Sequence, residues 1–399
     1  MQQLSNARAL VVLTGFVLAG CATDLTPPDA PPAVNAPSLD ASRVADVTAS
    51  VQWHGIARTL TNVHPVGQQR AARLFAYLSL AEYDAVIAAK EEGERGERPS
   101  ARAAVAGASA VVLTALFPSE QTAIDGEVAA EAASESGRNA DHSNWSAGET
   151  IGRQVGARVV ASEATDNFDL TWTGPQPAWA TWVSLTGAPP VFPRLGEMRP
   201  FFLTTGSQFR PAPPPQPGSS EFESALAVVR DIARTRTPEQ IAIAQFWALP
   251  GGYAAAQAYN DEIATDFITR YHLDERRAAH ALAMVNMAAM DAFIACHDAK
   301  YTYWLLRPAM ADPSISMAIA LPNHPSYPSN HACVTGASMA ILASLFPSQA
   351  TYVTGLADQA AISRIYAGIH YPFDATTGLE LGRTVAAYAL AHDIDGREK

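Results

Sequence analysis

The side chains with the most chemical content fall in three short blocks of the second half. The first is Lys300-Tyr-Thr-Tyr-Trp-Leu-Leu-Arg307-Pro308, and the second is Tyr327-Pro328-Ser329-Asn330-His331-Ala332. The third is Ser363-Arg364, then five residues to His370, then three more to Asp374. Two guanidiniums and one ammonium suit an anion whose charge is spread over several oxygens, such as a phosphoryl group in transfer. Ser329 and Asn330 stand at the start of a helical pattern. There the main-chain amides and the helix dipole favour an anion, and the serine hydroxyl adds a donor. Asp374, four residues after His370, is spaced to hold one imidazole nitrogen so that the other faces the anion. Taken singly, a Lys or Arg near a helix end is a solvated charge or a carbonyl cap, and a lone His is structural. The joint order and spacing of the three blocks carry the inference.

The elements that must position these residues read as helices. The chain is alanine-rich with short β-branched runs, 48% hydrophobic and 17% charged, which points to a compact, helical globular protein. Helices are expected over about 68–92, 101–117, 147–161, from 220, from Thr237, and over about 274–297, 331–346 and 376–391. Pro118 stops the second, and Thr237-Pro238-Glu239-Gln240 has a cap followed by a first-turn proline. From about 166 to 217 the chain turns rich in Pro, Gly, Trp and Phe and loses its period. This stretch reads as a long connection or lid, with Trp172, Trp179 and Trp182 as candidates to line an entrance.

The sequence also repeats itself. Val105–Ser119 and Val334–Ser348 agree at nine of fifteen positions, at an offset of 229. The match extends to Pro99-Ser100 opposite Pro328-Ser329, to Asp84–Ala88 opposite Asp291–Ala295, and to Gly148, Gly152 and Arg153 opposite Gly378, Gly382 and Arg383. Arg102 stands where the second copy has His331, and nothing in the first copy matches His370 or Asp374. The expected fold is therefore all-α, with two related bundles from an internal duplication. The first (46–165) is non-catalytic, the connection covers 166–219, and the second (220–399) is catalytic.

At the N-terminus, Arg8 and the apolar run Ala9–Val17 precede Leu18-Ala19-Gly20-Cys21. The run is too short for a membrane span and reads as a leader. Residues 1–20 are then a signal peptide that resembles those of bacterial lipoproteins, in which Cys21 would be lipidated, and 21–45 form a flexible stalk. The expectation is an exported protein tethered by lipid to a bacterial membrane, the outer one given the absence of Asp after Cys21. The net charge of −12 argues against a nucleic-acid partner. An exported compartment permits a disulfide between Cys296 and Cys333.

In order and internal spacing, the three blocks resemble the signature of the superfamily of type 2 phosphatidic acid phosphatases and vanadium haloperoxidases. Gln208-Phe209-Arg210-Pro211, Val63-His64-Pro65-Val66 and Asp291–Lys300 resemble its soluble, exported branch. The resemblance implies a helical bundle with Lys300, Arg307, Ser329, Asn330 and Arg364 binding phosphate or vanadate. It also implies His370 as nucleophile through a phosphohistidine, Asp374 orienting it, and His331 as general acid. A phosphatase acting on a small phosphorylated substrate, with no cofactor, is the expected activity. A haloperoxidase oxidising halide with peroxide, with His370 ligating vanadate, is the alternative, and a degenerate anion-binding lipoprotein is a third. His324 resembles a histidine of algal bromoperoxidases and favours the peroxidase. His297 stands where fungal chloroperoxidases have Trp, and Asn330 replaces the usual Gly; both count against a typical chloroperoxidase. Both histidines are candidates to flank the pocket.

Overall fold

A computed structural model describes residues 47–64, 66–95, 98–138 and 144–395. The leader, Cys21 and the stalk up to residue 45 lie outside the described residues. Among the described residues thirteen α-helices follow one another: α1 Ala49–Val63, α2 Gln68–Glu94, α3 Ala101–Leu116, α4 Gln121–Arg138, α5 Trp145–Glu163, α6 Ser220–Thr235, α7 Pro238–Phe246, α8 Ala256–Arg270, α9 Glu275–Tyr303, α10 Pro308–Ala311, α11 Asn330–Leu345, α12 Ala350–Tyr366 and α13 Pro372–Ala391. No strand occurs among the described residues, which makes the fold all-α. Sequence periodicity did not single out α1, α4, α8 or α12. The helix expected from 376 begins earlier, at Pro372, because proline suits a first turn.

The two halves are built alike. In the first, α3 packs on α2 and α5; in the second, α11 packs on α9 and α13, and α2 and α9 meet at the centre. The repeated glycines explain the close crossings. A Cβ on Gly152 of α5 would overlap the Ala104 carbonyl of α3, and one on Gly382 of α13 would overlap the Cys333 carbonyl of α11. Ser100 N–H donates to Asn144 O at 3.1 Å, and Ser329 N–H donates to Asp374 O at 3.0 Å, so even this main-chain bond recurs. The stretch Glu275–Ala311 is long and apolar enough to cross a membrane, but 94% of its apolar window is buried in the protein, as expected of a core helix.

The connection from 166 to 219 is irregular, as its composition implies, yet it is pinned. Buried Asp291 of α9 accepts from Phe201, Phe202 and Leu203 N–H at 2.8–2.9 Å. Arg210 grips Asp298 through two bonds, at 2.6 and 2.8 Å. Trp172 and Trp182 pack against Trp304, and of the three candidate entrance tryptophans Trp179 is the exposed one, at 58%.

A buried ionic cluster joins the halves. His54 Nδ1 meets Asp261 Oδ1 at 2.6 Å, Arg58 meets Asp261 Oδ2 at 2.5 Å, and Glu82 lies 3.4 Å from His54 Nε2. Burial disfavours the imidazolium, but Asp261 and Glu82 outweigh it and raise the pKa of His54 to about 9. A folded value above the free one (6.5) means that this stabilisation is complete below pH 6.5 and is lost as pH rises through 9. It is worth roughly 3 kcal/mol. Urea unfolding followed from pH 6 to 10 should show that loss. The His54→Gln variant should be less stable at pH 6 and lack this component of the slope; an unchanged slope would remove His54 as its source.

Candidate active site

The three sequence blocks converge where α9, α11, α12 and α13 meet. Lys300 sits in the last turn of α9, Arg307 just before α10, Ser329 at the N-cap of α11, Arg364 near the end of α12, and His370 and Asp374 around the start of α13. Lys300, Arg307, Ser329, Asn330, Arg364, His370 and Asp374 are all buried, and His331 is half-buried.

Hydrogen-bond partners fix the tautomers. Arg307 can only donate, and its Nη1 lies 3.1 Å from His370 Nε2. His370 Nε2 therefore carries a lone pair, and its Nδ1–H donates to Asp374 Oδ2 at 2.7 Å. Ser326 Oγ and Tyr371 N–H also donate to Asp374 Oδ2, at 2.5 and 3.1 Å. Burial raises the Asp374 carboxyl to about 6, against those bonds and the Lys300 charge. Burial, then Arg307 and Lys300, hold His370 well below its ordinary range, which keeps it neutral.

The cations make their protein bonds to carbonyl, hydroxyl and imidazole groups rather than to carboxylates. Lys300 Nζ donates to the carbonyls of Pro325 (3.1 Å), Ser326 (2.8 Å) and Pro328. Arg307 donates to His324 O at 3.0 Å and Ile369 O at 2.9 Å, and Arg364 to Ser363 Oγ at 2.9 Å and Ala244 O at 2.7 Å. Burial lowers the pKa of Lys300 to about 8, Arg307 to about 10 and Arg364 to about 9. Buried charge of one sign calls for a counter-anion. Ser329 Oγ is buried without a hydrogen-bond partner and does not cap its own helix. The donor set fits a phosphate or vanadate ion: three cations, a spare hydroxyl, a helix start and the His370 Nε2 lone pair, which an anion would take over from Arg307.

The two flanking histidines are both brought to the pocket. His324 Nδ1 lies 3.0 Å from Arg307 Nη2, a donor, and 3.1 Å from the Pro325 carbonyl, an acceptor, so its proton can sit on either nitrogen. His297 is buried 6.0 Å from His324, ring centre to ring centre. His331 Nε2–H donates to Trp247 O at 2.8 Å, and burial followed by the Arg364 charge keeps it neutral. Asn330 needs no left-handed backbone; it is the first residue of α11, and its side chain meets Cys296 and His297. Cys296 and Cys333 are free, buried thiols. Sequence reasoning did not identify Ser326, whose serine type beside the second block was the available signal. Nor did it identify the Trp247, Ile369 and Pro325 carbonyls, which as main-chain groups have no residue-type signature.

The first half closes off the equivalent place. Ser100 Oγ, the counterpart of Ser329 Oγ, donates to Glu135 Oε1 at 2.9 Å, and Arg102 pairs with Glu131 at 2.9 Å. At the repeat offset of 229, Glu135 falls on the position of Arg364.

The PAP2 superfamily model matches residues 280–394. A decaprenylphosphoryl-5-phosphoribose phosphatase of Mycobacterium tuberculosis is 35% identical over 104 residues, which cover 25% of this chain and 56% of that protein. The chain thus spans about half the length of the curated relatives it matches. Among solved structures, a bacterial vanadium-dependent iodoperoxidase is similar at 24% identity with a TM-score of 0.72, over 86% of this chain and 94% of that one. A bacterial vanadium-dependent chloroperoxidase is similar at 14% identity with a TM-score of 0.64, over 82% and 92%.

Ser329→Ala removes a buried hydroxyl that has no protein partner. The melting temperature without added anion should stay level or rise, while the affinity for inorganic vanadate should fall about tenfold. Thermal melting with and without vanadate reads both. A fall in intrinsic stability with unchanged vanadate affinity would assign the hydroxyl to the fold instead.

Proposed function

We propose, from the match of residues 280–394 to the PAP2 superfamily model, that it is a vanadate-dependent haloperoxidase oxidising iodide or bromide with hydrogen peroxide. The observation that carries this reading is the placement of His324. Ester hydrolysis in this pocket uses two imidazoles: His370 as nucleophile and His331 as proton donor. His324 is a third, buried against the same Arg307 guanidinium that faces His370. Hydrogen peroxide must shed a proton to bind as an anion, and a neutral imidazole beside the pocket can take it. Burial, Arg307 and Lys300 depress the basicity of His324. An oxyanion between those cations offsets their charge and restores it. Similarity to vanadium peroxidases across both halves of the chain, rather than the catalytic half alone, also supports the reading.

His370 Nε2 would hold the vanadium, and Lys300, Arg307, Arg364 and Ser329 its oxygens. Vanadate, when bound, supplies an electrophilic centre that activates peroxide for two-electron oxidation of halide. Asp374 keeps the His370 proton on Nδ1 and the ligating lone pair on Nε2. Burial of the donors excludes bulk water and strengthens each charge-assisted bond.

A second reading, phosphate-ester hydrolysis, is favoured by the 35% match to a phosphatase within the catalytic half. His370 Nε2 then attacks phosphorus; His331, which the charge of the bound oxyanion would restore to imidazolium, gives its proton to the leaving ester oxygen and takes one back from the water that releases phosphate from the phosphohistidine. The leader that resembles a lipoprotein signal supports export and membrane tethering for either activity.

Purified protein should oxidise iodide only when both vanadate and peroxide are present, and phosphate should compete with vanadate. His324→Ala should lower that oxidation by more than about tenfold and spare any hydrolysis of a chromogenic phosphate ester. Vanadate-inhibited ester hydrolysis without halide oxidation would establish the second reading. Retained phosphate binding without either activity would leave an anion-binding lipoprotein.

A further inference from the structure

Phe192 lies in the connection with a left-handed backbone (φ 48°), rare for a bulky residue. Its carbonyl oxygen can only accept, and it lies 3.1 Å from His297 Nδ1. His297 Nδ1 therefore carries the proton. Burial and the Lys300 charge keep His297 neutral, so Nε2 holds the lone pair. Asn330 Nδ2 lies 3.4 Å from that Nε2 and donates to it. This settles the amide orientation: Oδ1 faces Cys296 Sγ at 3.1 Å. An amide oxygen cannot donate, so the Cys296 S–H is the donor of this contact, with the Pro328 carbonyl a longer second acceptor at 3.7 Å. One acceptor, the Phe192 carbonyl, thus sets the direction of every bond in the line.

The line ends at the oxyanion-binding helix start. Asn330 is the first residue of α11, and it follows Ser329, whose hydroxyl is unpartnered. Cys296 lies one turn before Lys300 on α9, and Lys300 donates to the Pro328 carbonyl of the same 328–330 segment. A glycine at 330 would have no side chain to hold in place. The asparagine found here has one, gripped by the thiol on one side and the imidazole on the other.

We propose that Cys296 is a positioning residue of the oxyanion site, its S–H holding the Asn330 side chain against His297 and so fixing Ser329 and the first-turn amides of α11. The proposal rests on the oxyanion-pocket reading shared by both activities above. Calorimetric titration of the full chain with inorganic vanadate, and separately with phosphate, tests it. Cys296→Ala should weaken binding about tenfold, the loss of roughly one hydrogen bond. Cys296→Ser, whose hydroxyl also donates, should stay within about twofold of the parent. In the Asn330→Gly background, where no amide remains to be held, Cys296→Ala should cost less than about twofold. Thermal melting identifies any variant that fails to fold, and the serine variant keeps the test open if the alanine one does. Equal losses in both backgrounds would make Cys296 a packing residue and overturn the proposal, as would unchanged affinity in Cys296→Ala. A parent protein that binds neither anion would overturn the oxyanion pocket itself, and this inference with it.

Discussion

Three cations, Lys300, Arg307 and Arg364, are withdrawn from water into one pocket, and the carboxylate beside them, Asp374, bonds to His370, Ser326 and the Tyr371 amide. Taking charge out of water costs several kcal/mol per ion unless it is compensated. Carbonyl oxygens of Ala244, His324, Pro325, Ser326, Pro328 and Ile369 compensate in part, because each places a dipole against an N–H of a charged side chain. The remainder is left for an oxyanion. The segments 322–328 and 368–371, irregular in secondary structure, have to be irregular, since a helix would spend those carbonyls on itself.

The helices around the pocket do a different job. Glycines let α13 press against α11, which carries Ser329 to the start of α13 and its Asp374. The long core helix α9 presents Asp291, Cys296, His297, Asp298 and Lys300 along its C-terminal half. Asp291, His297 and Asp298 hold the connection, and Lys300 holds the pocket's carbonyls. Through the Phe192 carbonyl, the connection sets the tautomer of His297 beside the site.

Much of the site was legible because its chemistry is concentrated in contiguous runs. Lys300 to Arg307, Ser329 to His331 and Arg364 to Asp374 each keep their donors within a few residues, and residue type alone reports them. What escaped was either main chain or context. The Trp247 carbonyl that receives the His331 proton comes from the end of α7, far away in sequence. Asn330 read only as a replacement for the usual Gly; its backbone is helical, and its side-chain partners decide its role. Among the helices, α12 was missed although it carries Arg364: its apolar and polar residues do not segregate to opposite faces, because Val353, Leu356, Ala360, Ser363 and Arg364 are all buried. The glycine-matched helices α3 and α11 were found because close packing constrains their sequence doubly, by burial and by contact.

The Ser100–Glu135 bond turns the comparison of the two halves into a statement about where free energy is kept. At one helix start the serine hydroxyl meets the protein's own carboxylate; at the other it meets none. The residue on the matching helix is Glu135 in one case and Arg364 in the other. One reversal of sign therefore separates a serine hydroxyl bonded within the protein from one left without a partner. In the first half the carboxylate at this helix start belongs to the chain itself, so whatever attraction the start exerts goes into the fold.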